Sequence, residues 1–200
     1  VLRDAVDGAF TVKTRIGFES PGELDALLEV FSKHRLDLLT VHGRTVAEKY
    51  GPLVHLDRIA QAVRSLPFPV QANGNVACAT SALETLRQTG AAGLMIGRGA
   101  IRNPWIFSQI RDSLAGREVA LPSGWQVLDY ISDLYDAVCS PGVPEKAQVQ
   151  KMKKYMNFLG EGLETSEAFL YDIRRCSTRA EFFSICSRHL DHGRAMPLQP

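Results

Sequence analysis

Lys13 lies inside an otherwise apolar run, Phe10-Thr11-Val12-Lys13-Thr14-Arg15-Ile16. An unpartnered ammonium is costly in such a setting, so the side chain should face a cavity that holds an acceptor or an anion. Three polar triplets follow, His42-Gly43-Arg44, Asn73-Gly74-Asn75 and Gly97-Arg98-Gly99, and each closes a short apolar run. His42 can donate to a carbonyl or a phosphate, or it can be a hydrogen-bonded structural histidine. Asn73-Gly74-Asn75 offers an amide and N–H donors to a phosphate or a polyol chain, or it is a plain turn, Asn-Gly being a common turn pair. In Gly97-Arg98-Gly99 the glycines let backbone N–H groups come close to a phosphate and the guanidinium can grip it bidentately; a tight turn with a surface arginine is the other reading. A helix beginning near Asn103-Pro104 would add its positive end. Four polar groups at four consecutive strand ends point to one common mouth.

The elements that must position them are legible. Residues 10–16, 36–41, 68–72 and 92–96 are short apolar runs rich in branched residues, as strands buried on both faces should be. Ser20-Pro21-Gly22-Glu23 predicts a capping box with proline at the first helical position, and Leu24, Leu27, Leu28 and Phe31 then form one apolar face. Ile59, Val63 and Leu66 repeat the pattern. A third helix over 80–89 should bury Leu83 and Leu86, with Gly90 ending it in the left-handed conformation. After Phe107 the βα alternation stops. Gly/Pro-rich stretches at 116–126 and 140–144 punctuate a remainder that is all helix by its spacing, through Val127, Ile131, Leu134, then Met152, Met156, Leu159, then 168–176 and 180–189.

The chain has 200 residues, 45% hydrophobic and 22% charged, with a formal net charge of +1, an ordinary globular composition that neither demands nor excludes a polyanionic partner. From Glu145 onward nine Lys or Arg meet seven Asp or Glu, with Lys151, Lys153 and Lys154 clustered and Arg174 next to Arg175. Such a cluster is a solvated helix face or a surface that tracks nucleic-acid phosphates. Cys78, Cys139, Cys176 and Cys186 are widely spaced, with no CxxC pair and no zinc spacing, which predicts reduced thiols, no metal and a cytoplasmic setting. No apolar stretch is long enough to span a bilayer, so no membrane is expected.

Thr11-Val12-Lys13-Thr14-Arg15, Thr40-Val41-His42-Gly43-Arg44-Thr45, Asn73-Gly74-Asn75 and the run from Met95 to Phe107 (MIGRGAIRNPWIF) occur in an order and spacing that resembles the tRNA-dihydrouridine synthases. The likeness is strong over about residues 10–110 and extends to the helical remainder in layout only. It implies an α/β fold, the C-terminal half of a (β/α)8 TIM barrel (strands 5 to 8) over residues 1–115, followed by an all-α helical bundle over 116–200 that binds tRNA. It further implies FMN across the barrel mouth, held by Lys13, His42, Asn73, Gly74, Asn75, Gly97 and Arg98, with NADPH as reductant and tRNA as substrate. Arg15, Arg44, Lys153 and Arg174 would face the tRNA.

One family element has no counterpart. The cysteine that protonates the substrate stands in an Asn-x-Gly-Cys-Pro segment ahead of the lysine strand, and no such segment occurs here, so no residue of this chain is assigned as catalytic. The chain accordingly reads as an N-terminally incomplete synthase that is inactive by itself, and half a barrel should associate with the missing half or with another copy. Two other readings stand beside it: a catalytically inactive tRNA-binding module, and another FMN-dependent TIM-barrel oxidoreductase.

Overall fold

A computed structural model describes residues 3–199. Four parallel strands, β1 (Thr11–Arg15), β2 (Leu38–His42), β3 (Val70–Asn73) and β4 (Gly93–Met95), form one sheet in the order β1-β2-β3-β4. The helices α1 (Leu24–Ser32), α2 (Leu56–Ser65) and α3 (Ala79–Thr89) connect them. The architecture is α/β with a parallel sheet, as the alternating apolar runs predict.

Strand alternation divides the sheet into two unlike faces. Val12, Leu39, Val41, Val70, Ala72 and Leu94 lie on one face and pack into a core with Leu24, Leu28, Ile59 and Ala62 of the helices. The register places Lys13 beside Thr40, Thr40 beside Gln71 and Gln71 beside Gly93 on the other face, with Arg15, His42, Asn73 and Met95 as the next row. Apart from Thr14, which is in register with Val41 on the apolar face, the polar residues of the strands share one face.

Local signals account for the helix starts. Ser20 Oγ accepts the Gly22 N–H, while the Glu23 carboxylate accepts from the backbone of Phe18, Glu19 and Ser20. These N–H groups, Phe18 foremost, hold the Glu23 carboxyl below its usual range. Proline and the box set a 3-10 turn over Pro21–Glu23, and α1 continues from it. Gly90 ends α3 at φ 67°, as expected.

In α3 the buried face differs from the predicted one. Ala82, Thr85 and Thr89 are buried, while Leu83 and Leu86 are only partly covered. Thr85 and Thr89 donate their hydroxyls to the Ser81 and Thr85 carbonyls, which satisfies them without solvent and makes them acceptable inside. A second difference is an additional short helix after β4: α4 (Arg98–Arg102) takes up Arg98 and Gly99, and the helix expected near Asn103-Pro104 follows it as α5 (Ile106–Leu114).

The chain divides into two compact units, one ending at Gly97 and one beginning at Arg98. In the second, α6 (Gly124–Val138), α7 (Glu145–Gly160), α8 (Ser166–Arg175) and α9 (Arg179–Leu190) join α4 and α5. Val127 and Ile131 of α6, Met152, Met156 and Leu159 of α7, Phe169 and Ile173 of α8, and Phe182 and Leu190 of α9 are all fully buried in one core. Each such side chain contributes roughly 1.5–3 kcal/mol on leaving water. Arg102 ties α4 to α7 by donating to the Phe158 carbonyl at 2.9 Å and pairing with Glu161. No helix among the described residues is long and apolar enough to cross a membrane.

Candidate functional site

The polar sheet face carries the residues singled out by sequence. Lys13 is exposed there, not enclosed, because β1 is the sheet's outer strand and none of α1 to α3 covers this face. It forms no hydrogen bond or ion pair with any described residue. Beside it Thr40 donates its hydroxyl to Gln71 Oε1 at 3.0 Å, and the Gln71 amide nitrogen lies toward Gly93, 3.7 Å from where a Cβ there would sit. Thr40 and Gln71 are thus bonded to each other, whereas the Lys13 ammonium has no partner among the described residues.

The next row stands at the C-terminal ends of the strands. His42 is buried, and its Nε2 lies 3.2 Å from Arg44 Nη1. A guanidinium can only donate, so His42 accepts at Nε2 and carries its proton on Nδ1, a tautomer assigned from the contact. Arg44, expected to face tRNA, is only 1% exposed and lies folded onto this imidazole. The Arg44 N–H bonds the His42 carbonyl at 2.7 Å, which turns the chain sharply and folds the side chain back.

Arg15 also works inward. Its Nη1 donates to the carbonyls of Thr45 at 2.6 Å and Lys49 at 3.1 Å, strapping the loop after β2 onto β1. That loop is further braced by residues the sequence reading passed over. Thr45 and Glu48 bond each other's backbone N–H reciprocally, and Glu48 Oε1 meets His55 Nε2 at 2.7 Å. The His55 contact, then the Thr45 N–H, hold the Glu48 carboxyl below its usual range. The available signal was the Thr-x-x-Glu pattern at 45–48, a capping-box spacing used here without a helix.

The amides of Asn73-Gly74-Asn75 are committed to the backbone. Asn73 Nδ2 donates to the Met95 carbonyl at 2.8 Å, and Asn75 Nδ2 to that of Pro52 at 3.0 Å. Gly74 adopts φ 144°, which only glycine takes readily, and a Cβ there would lie 2.8 Å from Val54 Cγ1. Gly43 is equally close to the same methyl, at 2.7 Å, so Val54 is clasped between the β2 and β3 turns. Gly97 is exposed, with open space where a Cβ would go, and Arg98, next on the chain, is exposed as well.

In the helical unit the lysine cluster splits. Lys151 and Lys154 are exposed, but Lys153, expected on the tRNA face, is buried and donates Nζ to the Arg174 carbonyl at 2.9 Å. Arg174 is exposed and donates Nε to Asn157 Oδ1 at 3.1 Å. The four cysteines form no disulfide. Cys78 caps α3, its Sγ accepting from Ser81, and burial pushes the thiols of Cys139 and Cys176 up and that of Cys186 to about 12. No group of three or more potential metal ligands occurs among the described residues.

Comparison with known proteins fits this arrangement. A family model for dihydrouridine synthase (Dus) matches residues 1–192. A probable tRNA-dihydrouridine synthase of Rickettsia conorii is 33% identical over 168 residues, 83% of this chain and 50% of that protein. A protein of the same name in Rhodobacter capsulatus is 36% identical over 141 residues, 68% of this chain and 43% of its own length. One of Helicobacter pylori is 42% identical over 106 residues, covering 52% of this chain and 31% of that protein. The chain thus spans about half the length, or less, of these relatives. With the family match running over residues 1–192, through both units, the chain belongs to the dihydrouridine synthase family.

Proposed function

We propose that this chain is the cofactor-holding and RNA-holding portion of a tRNA-dihydrouridine synthase, an FMN-dependent oxidoreductase that reduces uridine in tRNA to 5,6-dihydrouridine at the expense of NADPH. Residues 1–115 would supply the C-terminal half of a TIM barrel, strands 5 to 8, and residues 116–200 a helical domain that contacts tRNA. The observation that carries the reading is Lys13, an uncommitted ammonium on the polar, helix-free face of a parallel sheet, in register with Thr40 and Gln71. An anionic or carbonyl-rich ring laid on this face would satisfy it.

The residues fit FMN. Bound there, the flavin would supply the hydride that saturates the uridine ring. Lys13 would stabilise negative charge on its pyrimidine edge, and His42, with its tautomer fixed by Arg44, would present a neutral imidazole. Because the amide nitrogens of Asn73 and Asn75 are engaged by carbonyls, those residues would shape the phosphate cradle while Gly74, Gly97 and Arg98 provide its donors. Arg15 would act by holding the loop after β2, and Arg174 would be the solvent-facing cation toward tRNA, with Lys153 steadying it from beneath. The proton for uridine C5 would come from a cysteine of the kind the family carries in its Asn-x-Gly-Cys-Pro segment; Cys78 caps α3, Cys176 and Cys186 are buried, and none of the four cysteines of this chain is assigned that role. The outer edges of β1 and β4 would be covered by the remaining barrel strands or by another copy.

The test is to purify the protein with its upstream residues restored and record its flavin spectrum, then measure dihydrouridine by mass spectrometry in tRNA incubated with it and NADPH. A yellow protein that forms dihydrouridine is expected. A colourless protein that takes up no FMN overturns the reading; retained tRNA affinity would then favour an inactive binding module. A yellow protein that leaves tRNA unmodified would favour another FMN-dependent oxidoreductase.

A further inference from the structure

Away from the sheet face, a cavity of about 140 Å³ opens in the helical unit between the turn after α7 and the segment that follows α9. Gly162, Leu163, Met196 and Pro197 give it apolar walls, and Glu164, Thr165, His189, His192 and Arg194 also border it. It has several times the roughly 30 Å³ that one water molecule takes up in the liquid.

The walls are fixed in advance. The Gly124 N–H donates to the Arg194 carbonyl at 3.3 Å, that of Trp125 to the His192 carbonyl at 3.2 Å, and that of Met196 to the Pro122 carbonyl at 2.8 Å. The His192 ring is pressed against the first turn of α6, where a Cβ on Gly124 would fall 2.7 Å from its Nδ1. The His189 ring is set by Thr165 Oγ1, 2.9 Å from its Nδ1, and stands edge-on to Phe169.

Two polar atoms in this frame are unexplained, His189 Nε2 and His192 Nδ1, the second lying against the first turn of α6. His189 Nε2 is buried and has no hydrogen-bond partner, a situation native proteins rarely leave without a water or a ligand. Burial also lowers the imidazole's affinity for a proton, so His189 presents a neutral donor or acceptor. At the rim Glu164 is a carboxylate and Arg194 a guanidinium, and neither is in an ion pair among the described residues. A carboxylate at the mouth repels an oxyanion. The pairing of one acceptor, one donor and a neutral imidazole over apolar walls suits a flat, uncharged ring that carries both N–H and carbonyl or ring-nitrogen groups.

We propose that this cavity is a binding site for a single unstacked nucleobase, with Glu164 and Arg194 bonding its edge and His189 its ring. The proposal deepens the tRNA reading and rests on it for the source of the base, which would be a nucleotide splayed from the RNA and held apart from the reacting uridine.

Imidazole signals of the full chain, recorded by NMR during titration with AMP, UMP, ribose 5-phosphate and a short single-stranded RNA, test this; His189→Gln identifies the resonance. The nucleotides should shift the His189 signal saturably and ribose 5-phosphate should not. Arg194→Ala and Glu164→Gln, both exposed positions, should each weaken the effect about tenfold, the ordinary weight of one charge-assisted hydrogen bond. Saturation by the oligonucleotide at lower concentration than by AMP or UMP supports RNA as the source; the reverse order supports a free nucleotide, and either retains the base site. No saturable shift from any nucleotide, or an equal shift from ribose 5-phosphate, overturns it. The titration uses neither flavin nor reductant. Loss of the His189 response in a protein that forms dihydrouridine therefore refutes the pocket alone, and the converse refutes only the enzymatic reading.

Discussion

Among the cations of the polar sheet face, Arg15 is spent on two carbonyls and Arg44 is folded onto His42, whereas Lys13 is committed to nothing described. Removing it should therefore separate binding from folding. Lys13→Met should change stability by less than about 0.5 kcal/mol, as exposed substitutions usually do. FMN affinity of the complete protein should fall about tenfold or more, the loss of a charged hydrogen-bond donor. Thermal melts and flavin titration measure the two, and unchanged flavin affinity would remove Lys13 from the site. The sequence marked Lys13 as unusual because charge inside an apolar strand is unusual, but it misplaced the environment, since an outer strand leaves that face open. Arg44 and Lys153 were misjudged the other way. Their partners are the His42 ring, reached through a sharp turn, and the carbonyl of Arg174, 21 positions on, and no local pattern announces either.

At the scale of elements, the turns after β2 and β3 are locked through Val54. Gly43→Ala should cost about 1–3 kcal/mol by driving a methyl into Val54, and Val54→Ala should relieve much of that cost when the two are combined. Gly74→Ala should cost more and be relieved less, because φ 144° adds about 1–3 kcal/mol of backbone strain that no change at Val54 can remove. Urea unfolding of the single and double variants gives the coupling, and equal relief at both glycines would contradict the strain argument. Strand positions, the capping box at Ser20–Glu23 and the stop at Gly90 were legible because each is written in adjacent residues. The buried face of α3 was not, because two leucines outrank Ala82, Thr85 and Thr89 on any hydrophobic pattern while back-bonded threonines pack as well. The start of α4 at Arg98 was hidden by two glycines that read as a turn.

Across the whole molecule, several carboxylates stabilise the fold in one direction of pH. Glu84 is lowered to about 2 by hydrogen bonds from Arg87 and Gln88, Glu181 is lowered by the backbone of Ser177 and Thr178, and Glu23 and Glu48 are lowered as described. A depressed carboxyl contributes above its unfolded value of 4.5 and loses that contribution as pH falls through its folded value. The urea midpoint should hold above about pH 5 and decline below it, and salt should blunt the decline because these groups are wholly or partly exposed. Glu84→Gln should flatten the part of the decline between 4.5 and about 2, and an unvarying midpoint across that range would contradict the assignment. The strap from Arg15 has its own consequence at this scale. Lys49 is exposed, but its carbonyl is held by a side chain from the first strand, so the peptide bond that trypsin would cut is protected only while β1 is in place. The loop thereby becomes a proteolytic reporter on the sheet: cleavage after Lys49 marks molecules whose first strand has come away.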